Sequence, residues 1–252
     1  MKQRTPKRAP RRKQTPDFPI RVTKLSHEGR GLVRWGERML FIDGAFPDEL
    51  VSVRVTKKSS KTAEGLAKEI LVPSPARGQP ECPHAAVCGG CSLQHLPHQS
   101  QINHKSNTLD ELMTREGIAL DQVTRLPPLL GPTLGYRRRA RLGVRWVHAK
   151  GRVLVGFRER GSNFIADIDG CPVLDPRIGQ SLDQLETTIA ALSAPDRIPQ
   201  VEVAAGDDTV AVVVRHLEPL SAADLEQWIH LAKSTGWHVY LQPKGPDTVA
   251  RL

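Results

Sequence analysis

Four cysteines constrain this chain more than any other feature. Cys82, Cys88 and Cys91 form a C-x5-C-x2-C run, and Cys171 follows eighty residues later in Gly170-Cys171-Pro172. No other cysteine is present. The run falls in residues 74–98, which Pro75, Pro80, Pro83 and Pro97 interrupt. Proline fixes φ and removes a backbone donor, so this stretch is expected to be irregular. It keeps one shape only if something staples it, and a metal centre is the obvious staple. A shared centre would tie the run to Cys171 and orient the chain between them.

No run of about 18 apolar residues occurs, so no membrane-spanning helix is expected. The basic N-terminus is not followed by an apolar stretch, so it does not read as a secretory signal. A cytoplasmic chain keeps its thiols reduced, metal-bound or catalytic. Cys82, Cys88, Cys91 and Cys171 supply the four thiolates of an all-cysteine [4Fe–4S] cluster. Zinc favours paired C-x2–4-C spacings, whereas here one spacing is five and the fourth ligand is solitary. His84, His95, His98 and His104 keep a zinc site open, and plain structural thiols are the third reading.

The net charge of +9 is focused. Residues 1–16 carry seven Lys or Arg and no acid; residues 136–160 carry nine basic residues and one acidic; residues 161–252 are net −7. Such focusing points to a nucleic-acid partner, with a solubilising tail and a solvated arginine face as the alternative. Residues 1–16 have almost nothing to bury and are expected to be a disordered basic arm. In the second basic segment, alternation puts Tyr136, Arg138, Ala140, Leu142, Val144 and Trp146 on one strand face. Arg137, Arg139, Arg141 and Arg145 fall on the other. An arginine face suits phosphates. Tyr136, Trp146 and Phe157 are candidates for stacking on unpaired bases, although Trp146 sits on the apolar face and reads better as core.

Residues 17–73 contain short strand patterns at 20–25, 32–35, 39–42, 50–55 and 63–71, which predict a small OB-like β-barrel. Its Lys24, Arg30, Arg34, Lys57, Lys58 and Lys61 are weak candidates for RNA contact. Ile102, Leu109, Leu112, Met113 and Ile118 predict a helix over 99–126, ended by Pro127-Pro128. Residues 134–168 predict a three-stranded meander whose last strand is 163–168. Beyond it come a helix at 176–193, a hairpin of 200–205 and 209–214, a helix at 222–234 and a strand at 237–242. The fold class expected is an N-terminal OB-like barrel followed by an α+β central domain (residues 74–98 and 132–252), with 99–131 as a separate helical segment.

The run Cys88-Gly89-Gly90-Cys91-Ser92-Leu93-Gln94-His95-Leu96, followed by Gln99 and Lys105, resembles the RNA uracil-5 methyltransferase family. Gly135-Tyr136-Arg137-Arg138-Arg139-Ala140-Arg141, Gly156-Phe157-Arg158 and Asp169-Gly170-Cys171-Pro172-Val173-Leu174 match it too. The barrel resembles that family's TRAM domain through Val22-x-x-Leu25-x-His27-x-Gly29-x-Gly31 and Phe41-Ile42-Asp43-Gly44-Ala45-Phe46-Pro47-Asp48-Glu49. The resemblance covers residues 17–252. It implies a [4Fe–4S] cluster, a 23S ribosomal RNA partner, S-adenosylmethionine as methyl donor and a monomer with no membrane partner. Relatives that act on transfer RNA are expected to lack both cluster and barrel, which favours the ribosomal branch.

The resemblance also implies a mechanism. A cysteine thiolate adds to C6 of uracil, C5 takes the methyl group, a glutamate removes the C5 proton and the thiolate leaves. Here the chain departs from the family. The cluster positions claim all four cysteines, and no Gly-rich strand-to-helix turn follows Gly161. The methyl-donor domain of the family would begin near Arg251-Leu252, and residues 99–131 would pack on it. The expectation is therefore the RNA-recognition and iron–sulfur part of such an enzyme, binding RNA without methylating it. A stand-alone iron–sulfur or zinc RNA-binding protein is the alternative.

Overall fold

The computed structural model describes residues 16–252. The expected basic arm therefore lies, apart from Pro16, outside the described residues. The chain divides into two units, one ending at Pro75 and the other running from Ala76 to Leu252. Among the described residues, no helix is long and apolar enough to cross a membrane.

The first unit contains β1 (Phe18–Arg21), β2 (Lys24–Leu25), β3 (Gly31–Trp35), β4 (Arg38–Asp43), β5 (Leu50–Lys58) and β6 (Thr62–Val72). They form one sheet in the order β1-β5-β6-β4-β3-β2. β1 and β2 adjoin in sequence yet occupy opposite ends of that order, so the sheet must curl on itself as a barrel does. The single strand expected over 20–25 is thus two. The break falls at Val22, whose side chain is buried with Leu40, Ile42, Val51 and Val53 in the barrel core. Its N–H donates to the Glu49 carbonyl (2.9 Å) and its carbonyl accepts from the Asp48 N–H (3.0 Å). Glu49 is itself fully buried, and its carboxylate accepts from the N–H groups of Phe46 (2.9 Å) and Ser74 (3.3 Å). That carboxylate holds the turn after β4, as buried charge requires hydrogen-bond partners.

The second unit contains α1 (His98–Arg115), β7 (Arg139–Val147), β8 (Arg152–Gly156), α2 (Pro176–Gly179), α3 (Leu182–Ala190), β9 (Gln200–Ala205), β10 (Val210–Arg215), α4 (Ala222–Thr235), β11 (His238–Gln242) and β12 (Ala250–Arg251). The sheet order is β12-β11-β10-β9-β7-β8. All pairs are antiparallel except β10 and β11, which α4 connects. One face buries Leu142, Val144, Val201, Val203, Val212 and Val214 against Leu185 and Ile189 of α3 and Trp228 of α4. The alternating residues point the other way, as period-2 geometry demands.

Three elements differ from their sequence pattern. α1 stops at Arg115 rather than near 126, because Gly117 turns left-handed (φ 80°) and the Ile118 N–H closes on the Met113 carbonyl (3.0 Å). None of the side chains of α1 is buried, and Leu109 and Ile118 stand about half exposed. Residues 163–168 form no third strand, only a bridge between Arg158 and Ile165. Ile165 lies instead over the sheet, so close that a Cβ at Gly143 would meet its Cδ1 at 2.4 Å. A segment that covers a sheet face cannot also extend the sheet edge. The helix expected over 176–193 is broken between α2 and α3, and the Gly179 carbonyl freed there accepts from the Cys171 N–H (2.9 Å).

Candidate metal centre and nucleic-acid interface

Cys82, Cys88, Cys91 and Cys171 line one small cavity, together with Gln94, Phe157, Ile168 and Val173. All four are half-buried free thiols. Among the described residues, no three His, Cys, Asp or Glu side chains converge tightly enough to hold a single ion. A tetrahedral zinc with bonds of about 2.3 Å would draw its sulfurs to within about 4 Å of one another. His84 lines the cavity, but its Nε2 pairs with Asp169 Oδ1 (2.6 Å). His95, His98 and His104 are not in the cavity wall.

The loop that presents the first three cysteines is shaped by its own backbone. The Cys88 N–H donates to the His84 carbonyl (2.8 Å), and the Gly90 N–H points at Cys88 Sγ (3.4 Å). Gln94 Oε1 accepts from the Cys82 N–H (3.2 Å). Two glycines follow Cys88 for a steric reason. A Cβ at Gly89 would sit 2.8 Å from the Arg158 carbonyl, and one at Gly90 would sit 2.9 Å from the Phe157 ring. The loop is therefore pressed against residues 157–160. Arg160 clamps it there: its backbone N–H donates to the Val87 carbonyl (2.9 Å), and its guanidinium reaches the carbonyls of Ala85 and Cys91. On the other side of the cavity the Cys171 carbonyl accepts from Leu174 N–H (3.3 Å).

Burial pushes the Cys82 and Cys88 thiols up. Backbone N–H groups of His84 and Gly90 pull against that rise, and the neighbouring thiolates of Cys91 and Cys171 add to it. A positively charged centre removes the penalty, since thiolates are the ligating form and a nearby cation inverts the local balance.

Arg139, Arg141 and Arg145 are exposed on the face of β7 that points away from the core. Arg141 Nε donates to Glu202 Oε1 (3.0 Å) on β9, its cross-strand neighbour. Arg137 does not join them. It precedes β7, and its backbone N–H donates to the Val173 carbonyl (3.0 Å). Its guanidinium turns back to the Gly90 carbonyl (3.1 Å) and lies 5.6 Å from the centre of the Phe157 ring. Alternation places side chains only inside a ladder, and Arg137 is outside it. Trp146 packs partly buried against the core and donates to His148 Nδ1 (3.2 Å). Phe157 also packs against the core, whereas Tyr136 is half exposed. Beside Cys91 runs a cleft of about 540 Å³, walled by α1, by residues 129–134 and by Tyr136 and Arg137.

Sequence reasoning missed the residues that support the cysteine loop: Gln94, Phe157 and Arg160. Gly156-Phe157-Arg158 stood out as a motif, but nothing in the one-dimensional pattern says that it lies under Gly90. In the barrel, Arg30 stacks over Phe41 (5.0 Å), Lys58 over Trp35 (4.7 Å), and Lys57 pairs with Glu64 (3.3 Å). Lys24, Arg34 and Lys61 are exposed.

Residues 16–68 match the TRAM domain model. The chain is 46% identical over 97% of its length to the 23S rRNA (uracil(1939)-C(5))-methyltransferase RlmD of Alcanivorax borkumensis, and covers 55% of that protein. It is 49% identical over 92% of its length to the protein of the same name from Alkalilimnicola ehrlichii, covering 52% of it. The chain thus spans about half the length of the curated relatives it matches. Among solved structures it resembles the Pyrococcus abyssi tRNA (uracil-54, C5)-methyltransferase in complex with S-adenosyl-L-homocysteine. The TM-score is 0.60 at 21% identity, over 89% of this chain and 50% of that one. At that identity the likeness is one of fold. It covers too much of this chain to omit a counterpart of the barrel. The barrel therefore does not separate ribosomal from transfer-RNA relatives, contrary to the expectation from sequence.

Proposed function

We propose that these 252 residues are the RNA-recognition and iron–sulfur part of an S-adenosylmethionine-dependent 23S rRNA uracil-C5 methyltransferase. The observation that carries the reading is the convergence of Cys82, Cys88, Cys91 and Cys171 on one cavity. It occurs in a chain similar along nearly all its length to proteins of that name. The four thiolates suit a [4Fe–4S] cluster: there are four of them, they line one cavity, and its wall is largely apolar. When bound, the cluster supplies a covalent cross-link between the Cys82–Cys91 loop and the Cys171 turn.

The residues around it then have definite tasks. The loop pins Arg137 beside the cleft, and the Cys171 turn, through Val173 and Leu174, anchors the chain that enters β7. Arg139, Arg141 and Arg145 offer phosphate contacts, and Lys24, Arg34 and Lys61 are further exposed cations on the barrel. A uracil must leave its stack before C5 can react, so a grip on unpaired RNA is the natural contribution of such a module. Methyl transfer itself needs a free thiolate nucleophile and a donor site. The cluster takes every cysteine of these residues, and no Gly-rich strand-to-helix turn occurs among them. RNA binding, and not methyl transfer, is therefore assigned to the 252 residues, acting as a monomer.

The test incubates the purified chain with 23S rRNA fragments and methyl-labelled S-adenosylmethionine. Salt-sensitive RNA binding without label in uracil is the expected result. Methylated uracil would overturn the assignment.

A further inference from the structure

The sheet of the second unit has helices on one face only; on the other, Ile165 covers Gly143 of β7, and towards β12 cross-strand register aligns side chains that stay uncovered. One row reads Arg141, Glu202, Val213, Tyr240 and Arg251 across β7, β9, β10, β11 and β12. The row beside it reads Arg139, Ala204, Ala211 and His238. None of these residues is buried. With strands about 4.8 Å apart, the row from Arg141 to Arg251 spans about 19 Å.

The chemistry of this face is one-sided. It carries Arg139, Arg141, Arg145, Arg215 and Arg251 against one carboxylate, Glu202. That carboxylate is already engaged by Arg141 and by Gln200 (2.9 Å). The other four arginines make no side-chain hydrogen bond or ion pair among the described residues. Tyr240 stands among them with its hydroxyl likewise free of partners there. Its neighbours on β10 are Ala211 and Val213, and beyond them lies Ala204, so the floor beside the ring is low and flat. Four arginines with no carboxylate partner leave an uncompensated positive field, which favours a polyanion over a partner of mixed charge. A polyanion with exposed flat faces fits both halves of the chemistry.

We propose that this open sheet face is a platform for an unpaired RNA segment. Tyr240 stacks on a base, and Arg215 and Arg251 join Arg139 and Arg145 on the phosphates. A duplex hides its base faces inside the stack, so the platform selects single strands. The proposal rests on the RNA-binding reading above and adds to it a binding mode and three residues that the arginine strand does not contain.

The experiment measures anisotropy of a fluorescein-labelled oligouridylate and of a labelled RNA duplex with the 252-residue chain across a salt series. Variants are Y240A, Y240F, R215Q/R251Q and R139Q/R145Q. Y240A is expected to weaken oligouridylate binding by about five- to hundredfold at an unchanged salt slope, with Y240F close to wild type. R215Q/R251Q is expected to flatten the slope by about 0.7 for each phosphate no longer neutralised. If R139Q/R145Q weakens binding while Y240A and R215Q/R251Q match wild type, RNA binding stands and the platform falls. Equal affinity for duplex and single strand, indifferent to Y240A, also overturns the platform. If wild type binds no RNA, both readings fall. Thermal melts check that each variant folds. Should Y240A not fold, R215Q/R251Q, which alters only exposed side chains, decides the matter.

Discussion

Gly90 has no room for a methyl group. A Cβ there would lie 2.9 Å from the Phe157 ring and 3.4 Å from Cys88 Sγ, so Gly90→Ala must push the ring and the loop apart. Overpacking of this kind costs about 1–3 kcal/mol. The expected outcome is a lower iron content on purification and a lower melting temperature; wild-type values for both would contradict the packing argument. Arg137→Gln separates two roles at the same scale. Since its guanidinium holds the Gly90 carbonyl, loss of iron should accompany any loss of RNA affinity, whereas Arg139→Gln should weaken RNA binding and leave iron content unchanged. Iron and binding assays on the two purified variants distinguish them. The cysteines and the arginine-rich stretch were both visible as residues. The special position of Arg137 was not, because it depends on a backbone contact with Val173 that no local spacing encodes.

Elements behave by the same logic. Helix α4 opens on Ser221 with Asp224 at its third position, a reciprocal capping box. Asp224 also accepts from the N–H and hydroxyl of Ser193 (both 2.7 Å), so it ties α4 to the end of the α3 segment. Burial pushes its carboxyl up, but the hydrogen bonds from Ser193 and Ser221 outweigh that and hold it at about 2. A carboxylate lowered on folding stabilises the fold above its unfolded value near 4, and that contribution is lost as pH falls through about 2. Asp224→Asn should therefore cost about 2 kcal/mol at neutral pH, with the gap from wild type closing between pH 4 and 2. Urea melts over that range measure it; a constant gap would mean the charge is not responsible. Strands β9 and β10 and helix α4 were legible because their alternation and periodicity are long and uninterrupted. The break at Val22, the early stop of α1 and the fate of residues 163–168 were not. Each is decided by a partner distant in sequence or by a glycine whose effect is positional: Glu49 for Val22, Gly117 for α1, Gly143 for Ile165.

At the scale of the whole molecule, charge and cofactor chemistry meet. Basic charge is concentrated where β7 leaves the cysteine centre, and the acidic excess lies further on, mostly in the turns and loops of residues 161–252. Loss of the centre should then be felt beyond the cavity, because the Cys171 turn anchors the entry to β7. Chelation of iron under air is expected to reduce RNA affinity and thermal stability together. Retained affinity after complete iron loss would confine the centre to a local role. The central claim is that all four cysteines hold one iron–sulfur cluster. It is tested most directly by iron, sulfide and zinc analysis of the anaerobically purified chain beside Cys171→Ser. About four irons and four sulfides per wild-type chain, with both lost in Cys171→Ser, is the result expected. One zinc per chain without sulfide would contradict it.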